Sequence, residues 1–161
     1  MIRIDEQKEV SRDLLQLVCF KLGDDEFAVD TLNVRYINRS LQIKKIPNAP
    51  VFVEGIIHIN GEVITVIDLR KKLGLPNVKH ADSTRIIVLD VNNRTIGFVV
   101  DCLKEVLIIP ESITLPRSEF ASGTSWEYIK SVAKLEDRFL ILIDIENILS
   151  KAYEFELFSN N

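Results

Sequence analysis

Apolar and polar positions alternate along most of this chain in short runs broken by turn residues. Leu15-Gln16-Leu17-Val18-Cys19-Phe20-Lys21-Leu22 runs into Gly23-Asp24-Asp25-Glu26, and Phe27-Ala28-Val29-Asp30 leads away. Two extended runs around a Gly/Asp turn predict a hairpin. Gly55 to Ile59 and Glu62 to Ile67 flank Asn60-Gly61, the dipeptide best suited to a type I′ turn, whose two central residues need positive φ. Arg85 to Val91 and Thr95 to Val100 flank Asn92-Asn93, and Ser131 to Leu135 and Phe139 to Ile143 flank Glu136-Asp137. Four hairpins rich in β-branched residues predict barrels or a sandwich. Helical spacing is confined to three places. Asp68 precedes Leu69-Arg70-Lys71-Lys72-Leu73-Gly74 as an N-cap, with Gly74 closing the helix. Asp144 opens a stripe of Ile145, Ile148, Leu149 and Ala152. Ile4 to Leu15 is a weak third candidate, read as a frayed arm.

The pattern repeats. At an offset of 76, Asp68 falls on Asp144, Ile56 on Val132, Asn60-Gly61 on Glu136-Asp137 and Ile67 on Ile143. At an offset of 71, Phe27-Ala28-Val29-Asp30 falls on Phe98-Val99-Val100-Asp101. The period is too long for a solenoid. It predicts a duplicated β-subdomain, two small barrels each with a helix beside it, closed against edge-to-edge association.

The chain has 161 residues, 47% hydrophobic and 27% charged, which excludes disorder as the main state and allows one domain or two small ones wound together. No apolar run approaches the ~18 residues of a membrane span, and the first nine residues carry no apolar signal core. Residues 1–80 hold 12 Lys+Arg against 11 Asp+Glu, and residues 81–161 hold 8 against 13. Neither half carries a basic stripe, so nucleic acid is not an expected partner. Cys19 and Cys102 lie among apolar neighbours without a CxxC, and read as buried free thiols.

Chemistry is hard to assemble. His58 and His80 have no ligand-spaced companions, no G-x-S-x-G surrounds a serine, and no two glycines stand two apart. Asp30, Asp68, Asp101 and Asp144 recur in both copies at strand ends, which points to capping and turns rather than to paired catalytic acids. The expectation is a protein without catalysis, cofactor or metal, working through surfaces. An enzyme or small-ligand barrel using the groove between the copies is the competing expectation.

Three stretches carry a resemblance: Leu22 to Asp30, Ile46-Pro47-Asn48-Ala49-Pro50-Val51-Phe52-Val53-Glu54-Gly55, and Gly61 to Arg70. In order and spacing they resemble the CheW family, and Ile96 to Asp101 and Tyr128 to Asp144 continue the match. The resemblance implies a mainly β fold of two intertwined SH3-like five-stranded β-barrels with a few short helices. It implies a CheW-like domain over 14–150, which leaves an N-terminal arm (1–13) and a C-terminal helical tail (151–161) whose apolar stripe favours packing on its own barrel over reaching a partner. It further implies a free-standing cytoplasmic adaptor, without membrane insertion, joining the regulatory domain of a CheA-type histidine kinase to the cytoplasmic tip of chemoreceptors. The matching receptor-groove positions are Val34, Gly55, Asn60, Arg85, Gly97, Leu103 and Val106; the matching kinase-binding positions are Thr31, Tyr36, Ile43 and Phe120. Where the family usually has Asn-Leu-Arg-Gly, this chain has His58-Ile59-Asn60-Gly61, and Tyr36 and Arg85 also depart from the usual residues. Those departures imply a divergent paralogue, serving a second chemosensory array or a motility or gene-regulation pathway; a CheW-like scaffold for a non-chemotaxis signalling kinase is the alternative.

Overall fold

The structure is a computed structural model and describes residues 13–39, 42–116, 127–148 and 150. Eleven strands are β1 (Leu14–Leu22), β2 (Asp25–Asp30), β3 (Val34–Arg39), β4 (Val53–Ile59), β5 (Glu62–Asp68), β6 (Arg85–Val91), β7 (Arg94–Val100), β8 (Cys102–Pro110), β9 (Thr114–Pro116), β10 (Ile129–Lys134) and β11 (Phe139–Ile143). A helix α1 (Leu69–Lys72) follows β5, and 3-10 turns (Thr31–Asn33, Glu111–Ile113) follow β2 and β8. No helix among the described residues is long and apolar enough to cross a membrane.

All four expected hairpins form. Asn60 and Gly61 take φ of 50° and 81°, and Asn92 and Asn93 take 53° and 63°, as a type I′ turn requires. Asp68 caps α1 by accepting from the backbone N–H of Arg70 and Lys71. Asp144 likewise accepts from Asn147 N at 3.2 Å, opening the helical residues 145–148. Asp30 caps the first 3-10 turn through Leu32 N. Asp101 departs from this capping role: no 3-10 turn follows it, the chain enters β8 directly, and its carboxylate is engaged elsewhere. The weak helix expected over Ile4 to Leu15 ends wrongly, since Leu14 and Leu15 pair with Pro110 and Ile109 inside β1. Its earlier part, Phe120 and the tail 151–161 lie outside the described residues.

The duplication shows in the sheets. One sheet has the order β8-β1-β2-β11-β10-β9 and the other β3-β6-β7-β5-β4. Copy one, β1 to β5, sends β1 and β2 to the first sheet and β3, β4 and β5 to the second. Copy two does the reverse. The exchange is sealed by two parallel seams, β11 on β2 and β5 on β7. The sixth strand, β9, has as its counterpart in the second sheet, among the described residues, the bridge of Lys44 to Ile56.

Three apolar clusters follow from this weave. Phe20, Phe27, Val29, Ile67, Ile87, Leu89 and Phe98 meet between the sheets. Leu17, Cys19, Ala28, Ala133 and Leu140 fill the other side of the first sheet. Ile57, Ile64, Val66, Ile86 and Val88 fill that of the second. Strands β1, β2, β6 and β7 are thus buried on both faces, which is why they read as continuous apolar runs. The second sheet also curls. Arg35 on β3 reaches Glu62 on β5 at 3.0 Å although β6 and β7 lie between them in sheet order. Burial pushes the Cys19 thiol up to about 11, an unreactive state, whereas Cys102 is only half-buried.

The two copies meet at Lys72. Phe52 and Tyr128 are equivalent at the 76-residue offset: each offers its carbonyl, at 2.8 Å, to the N–H of its own Asp, Asp68 or Asp144. The Lys72 ammonium sits 3.7 Å from the Phe52 ring centre and 4.7 Å from that of Tyr128. Such a contact contributes roughly 0.5–2 kcal/mol. Lys72→Ala is expected to lower thermal stability by about 1 kcal/mol, read by differential scanning calorimetry. Unchanged unfolding would show that the aromatic pair holds without the cation.

Candidate partner-docking surface

The edge strand β8 is unusually apolar for an exposed edge. Leu103 is 37% exposed, Val106 57% and Ile108 62%. Alternation alone would split Leu103 from the other two. A register shift prevents this: Cys19 pairs Glu105, Phe20 pairs Leu103, and Lys104 is the extra residue. A bulge of this kind re-aims one side chain. Leu103, Val106 and Ile108 therefore share the face of Phe20 and Val18, towards the seam between the sheets. The opposite edge strand, β3, repeats the device. Val34 pairs Leu89, Tyr36 pairs Val88, and Arg35 is extra. Val34 thereby joins the seam cluster, while Tyr36 turns to the interior cluster of the second sheet beside Ile43.

The seam is held at one end by a buried ion pair. Arg70 Nε donates to Asp101 Oδ1 at 2.8 Å, and its Nη2 donates to Oδ2. Nη1 donates to the Pro76 carbonyl at 2.7 Å, and Gly23 N donates to Asp101 Oδ2 at 2.7 Å. The helix after β5, the end of β7 and the β1–β2 turn converge on one carboxylate. The Arg70 fork, opposed by partial burial and helped by the Gly23 N–H, holds the Asp101 carboxyl below its ordinary range. Leu103 stands two residues past Asp101. Arg85 pairs with Val100, one residue before it.

The remaining singled-out residues take varied places. Gly55 and Gly97 are buried within β4 and β7. A Cβ on Gly55 would lie 2.2 Å from the Lys44 carbonyl oxygen, and one on Gly97 would lie 3.0 Å from Ile86 Cγ2. Asn60 is exposed in its turn, at the opposite end of the second sheet from Arg85. Thr31 is half-buried in the first 3-10 turn. Leu103, Val106, Val34 and Arg85 thus stand on the seam-facing sides of their strands, Val34 and Arg85 at opposite ends of the β3–β6 pair, while Asn60 stands apart and Tyr36 and Ile43 pack inward. Sequence reading passed over Ile108, whose place in the row depends on the bulge, and Arg39, which pairs with Arg85 across β3 and β6. A cavity of about 640 Å³ is lined by Asp30, Lys130 and Ser131 of the first sheet, by Glu111 and Glu146 beside it, and by Val91 of β6 across from it.

The family model of the CheW-like domain matches residues 16–153. The chain belongs to the CheW family. It is 36% identical over 135 residues to the chemotaxis protein CheW of Klebsiella aerogenes, covering 84% of this chain and 81% of that one. It is 30% identical over 147 residues to that of Helicobacter pylori, covering 91% and 88%. Among solved structures, the scaffolding protein TtCheW from Thermoanaerobacter tengcongensis superposes with a TM-score of 0.74 at 30% identity, covering 81% of this chain and 84% of that one. The two woven sheets are therefore the CheW fold.

Proposed function

We propose that this chain is a non-catalytic, cytoplasmic adaptor that couples the cytoplasmic tip of chemoreceptors to the regulatory domain of a CheA-type histidine kinase. The observation that carries the reading is the seam-facing row of Leu103, Val106 and Ile108. An exposed apolar row on a sheet edge invites unwanted pairing unless a partner covers it. The receptor tip covers it here, with Val34 and Arg85 beside it. Thr31, Tyr36, Ile43 and Phe120 belong to the kinase-binding reading; Tyr36 and Ile43 would act by shaping the interior of the second sheet rather than by direct touch. The adaptor changes no bonds: by holding both partners it lets a receptor rearrangement shift the kinase between less and more active populations.

Val106 is more than half exposed, so Val106→Asp is expected to leave thermal unfolding within about 0.5 kcal/mol of the wild type. Its affinity for a soluble receptor-tip fragment should fall about tenfold or more, the usual effect at an interface centre. Isothermal titration with the receptor fragment and with the kinase regulatory domain reads both. Undiminished receptor binding by the folded variant would remove β8 from the docking surface.

A further inference from the structure

Arg39 and Arg85 are direct cross-strand partners on β3 and β6. Like charges placed opposite one another in a sheet destabilise it unless something else gains. The pair follows Ile37 and Ile87 in register, so both side chains lie on the seam-facing side, at its rim. No carboxylate among the described residues comes within ion-pair distance of either. Arg85 is nonetheless held in place: its Nη1 donates to the Asp82 carbonyl at 2.7 Å and to the Thr84 carbonyl at 2.8 Å. Nε and Nη2, the edge that grips a carboxylate in parallel, have no acceptor among the described residues. A guanidinium fixed through one nitrogen, with its forked edge open and a second arginine beside it, is prepared for an acidic side chain. Only Asp101 and Cys102 separate Val100, the partner of Arg85, from Leu103, so the chain passes from the strand beside the fork directly into the apolar row.

We infer that Arg39 and Arg85 form a carboxylate-binding fork that receives an Asp or Glu side chain of the receptor tip. This rests on the adaptor reading above. The fork confines recognition to receptors bearing an acid opposite it, because an uncharged residue there would leave two arginines desolvated and unpaired.

The test uses the full chain, a soluble fragment spanning the tip of a chemoreceptor from the same organism, and the kinase regulatory domain. Arg39→Gln/Arg85→Gln is expected to weaken binding of the receptor fragment about tenfold at low salt. It should also flatten the salt dependence shown by the wild type, because screening then has less charge attraction to act on. Kinase-domain affinity should stay unchanged, and the melting temperature should hold or rise as the repulsion is relieved. Arg39→Gln alone, at an exposed position, should give a smaller loss in the same direction and serves if the double variant folds poorly. Equal receptor affinity for wild type and folded variants overturns the fork, and so does a loss confined to the kinase domain. A wild-type chain that binds no receptor fragment overturns the adaptor reading and the fork with it.

Discussion

Arg70→Ala should unfold the protein at markedly lower temperature. The guanidinium is mostly buried, with 10% of its side chain exposed against 27% for Asp101. Removing it strips Asp101 of two charged hydrogen bonds and leaves the Pro76 carbonyl without its donor. Breaking a buried pair by deleting one partner costs about 3–5 kcal/mol, because the other charge stays behind. Partial exposure of Asp101 places the expectation at the low end, about 3 kcal/mol, or a melting temperature lower by roughly 6–12 °C in a chain of this size. Asp101→Ala should cost a similar amount, and the double variant less than the two together, since both act on one contact. The pair also sets an acid limit. The folded carboxyl titrates below its unfolded value of 3.8. Its contribution is therefore complete above that value and disappears as the pH falls through the lower folded one. In Arg70→Ala, the gap to the wild type should narrow only as the pH falls below 3.8 and through the lower folded value. A pH-independent gap, or a variant that melts with the wild type, would mean that the seam is held by apolar packing alone.

The hairpins, the α1 cap and the duplication were legible because each depends on residues close in sequence: Asn60-Gly61, Asn92-Asn93, Asp68. The edge strands β3 and β8 were not, because their bulges at Arg35 and Lys104 break the two-residue period by which strands are read. The Arg70–Asp101 pair joins residues 31 apart, and nothing local distinguishes Asp101 from Asp30, its counterpart in the other copy. Their roles diverge only because a 3-10 turn follows one and a strand follows the other. Exchange of strands between the copies was equally hidden: an offset reveals that two units are alike, not which sheet each strand joins. The docking surface shows the same division. Leu103, Val106, Val34 and Arg85 came from family resemblance, whereas their common orientation comes from two bulges and two parallel seams.

Gly55 offers the sharper separation of folding from binding. Its φ is +155°, and a Cβ there would meet the Lys44 carbonyl oxygen at 2.2 Å and Ile43 Cγ2 at 2.8 Å. Lys44 cannot step aside freely, because it exchanges two 2.8 Å hydrogen bonds with Ile56. Gly55→Ala must therefore distort the backbone or break that bridge. Strain and overpacking each cost about 1–3 kcal/mol, so their combination is expected near 3 kcal/mol or above. Gly61 is the internal control. It also has positive φ, at +81°, but nothing lies within 4 Å of its would-be Cβ. Gly61→Ala should cost only the backbone strain, about 1 kcal/mol. Chemical denaturation of the two variants tests the order. The same pair decides what Gly55 does for the receptor. If it acts by letting segment 43–45 lie flat on β4, receptor affinity of Gly55→Ala should fall together with stability, and Gly61→Ala should bind normally. A Gly55→Ala protein as stable as the wild type would disprove the close approach of Lys44, and lost receptor binding in that stable protein would place Gly55 in the contact itself.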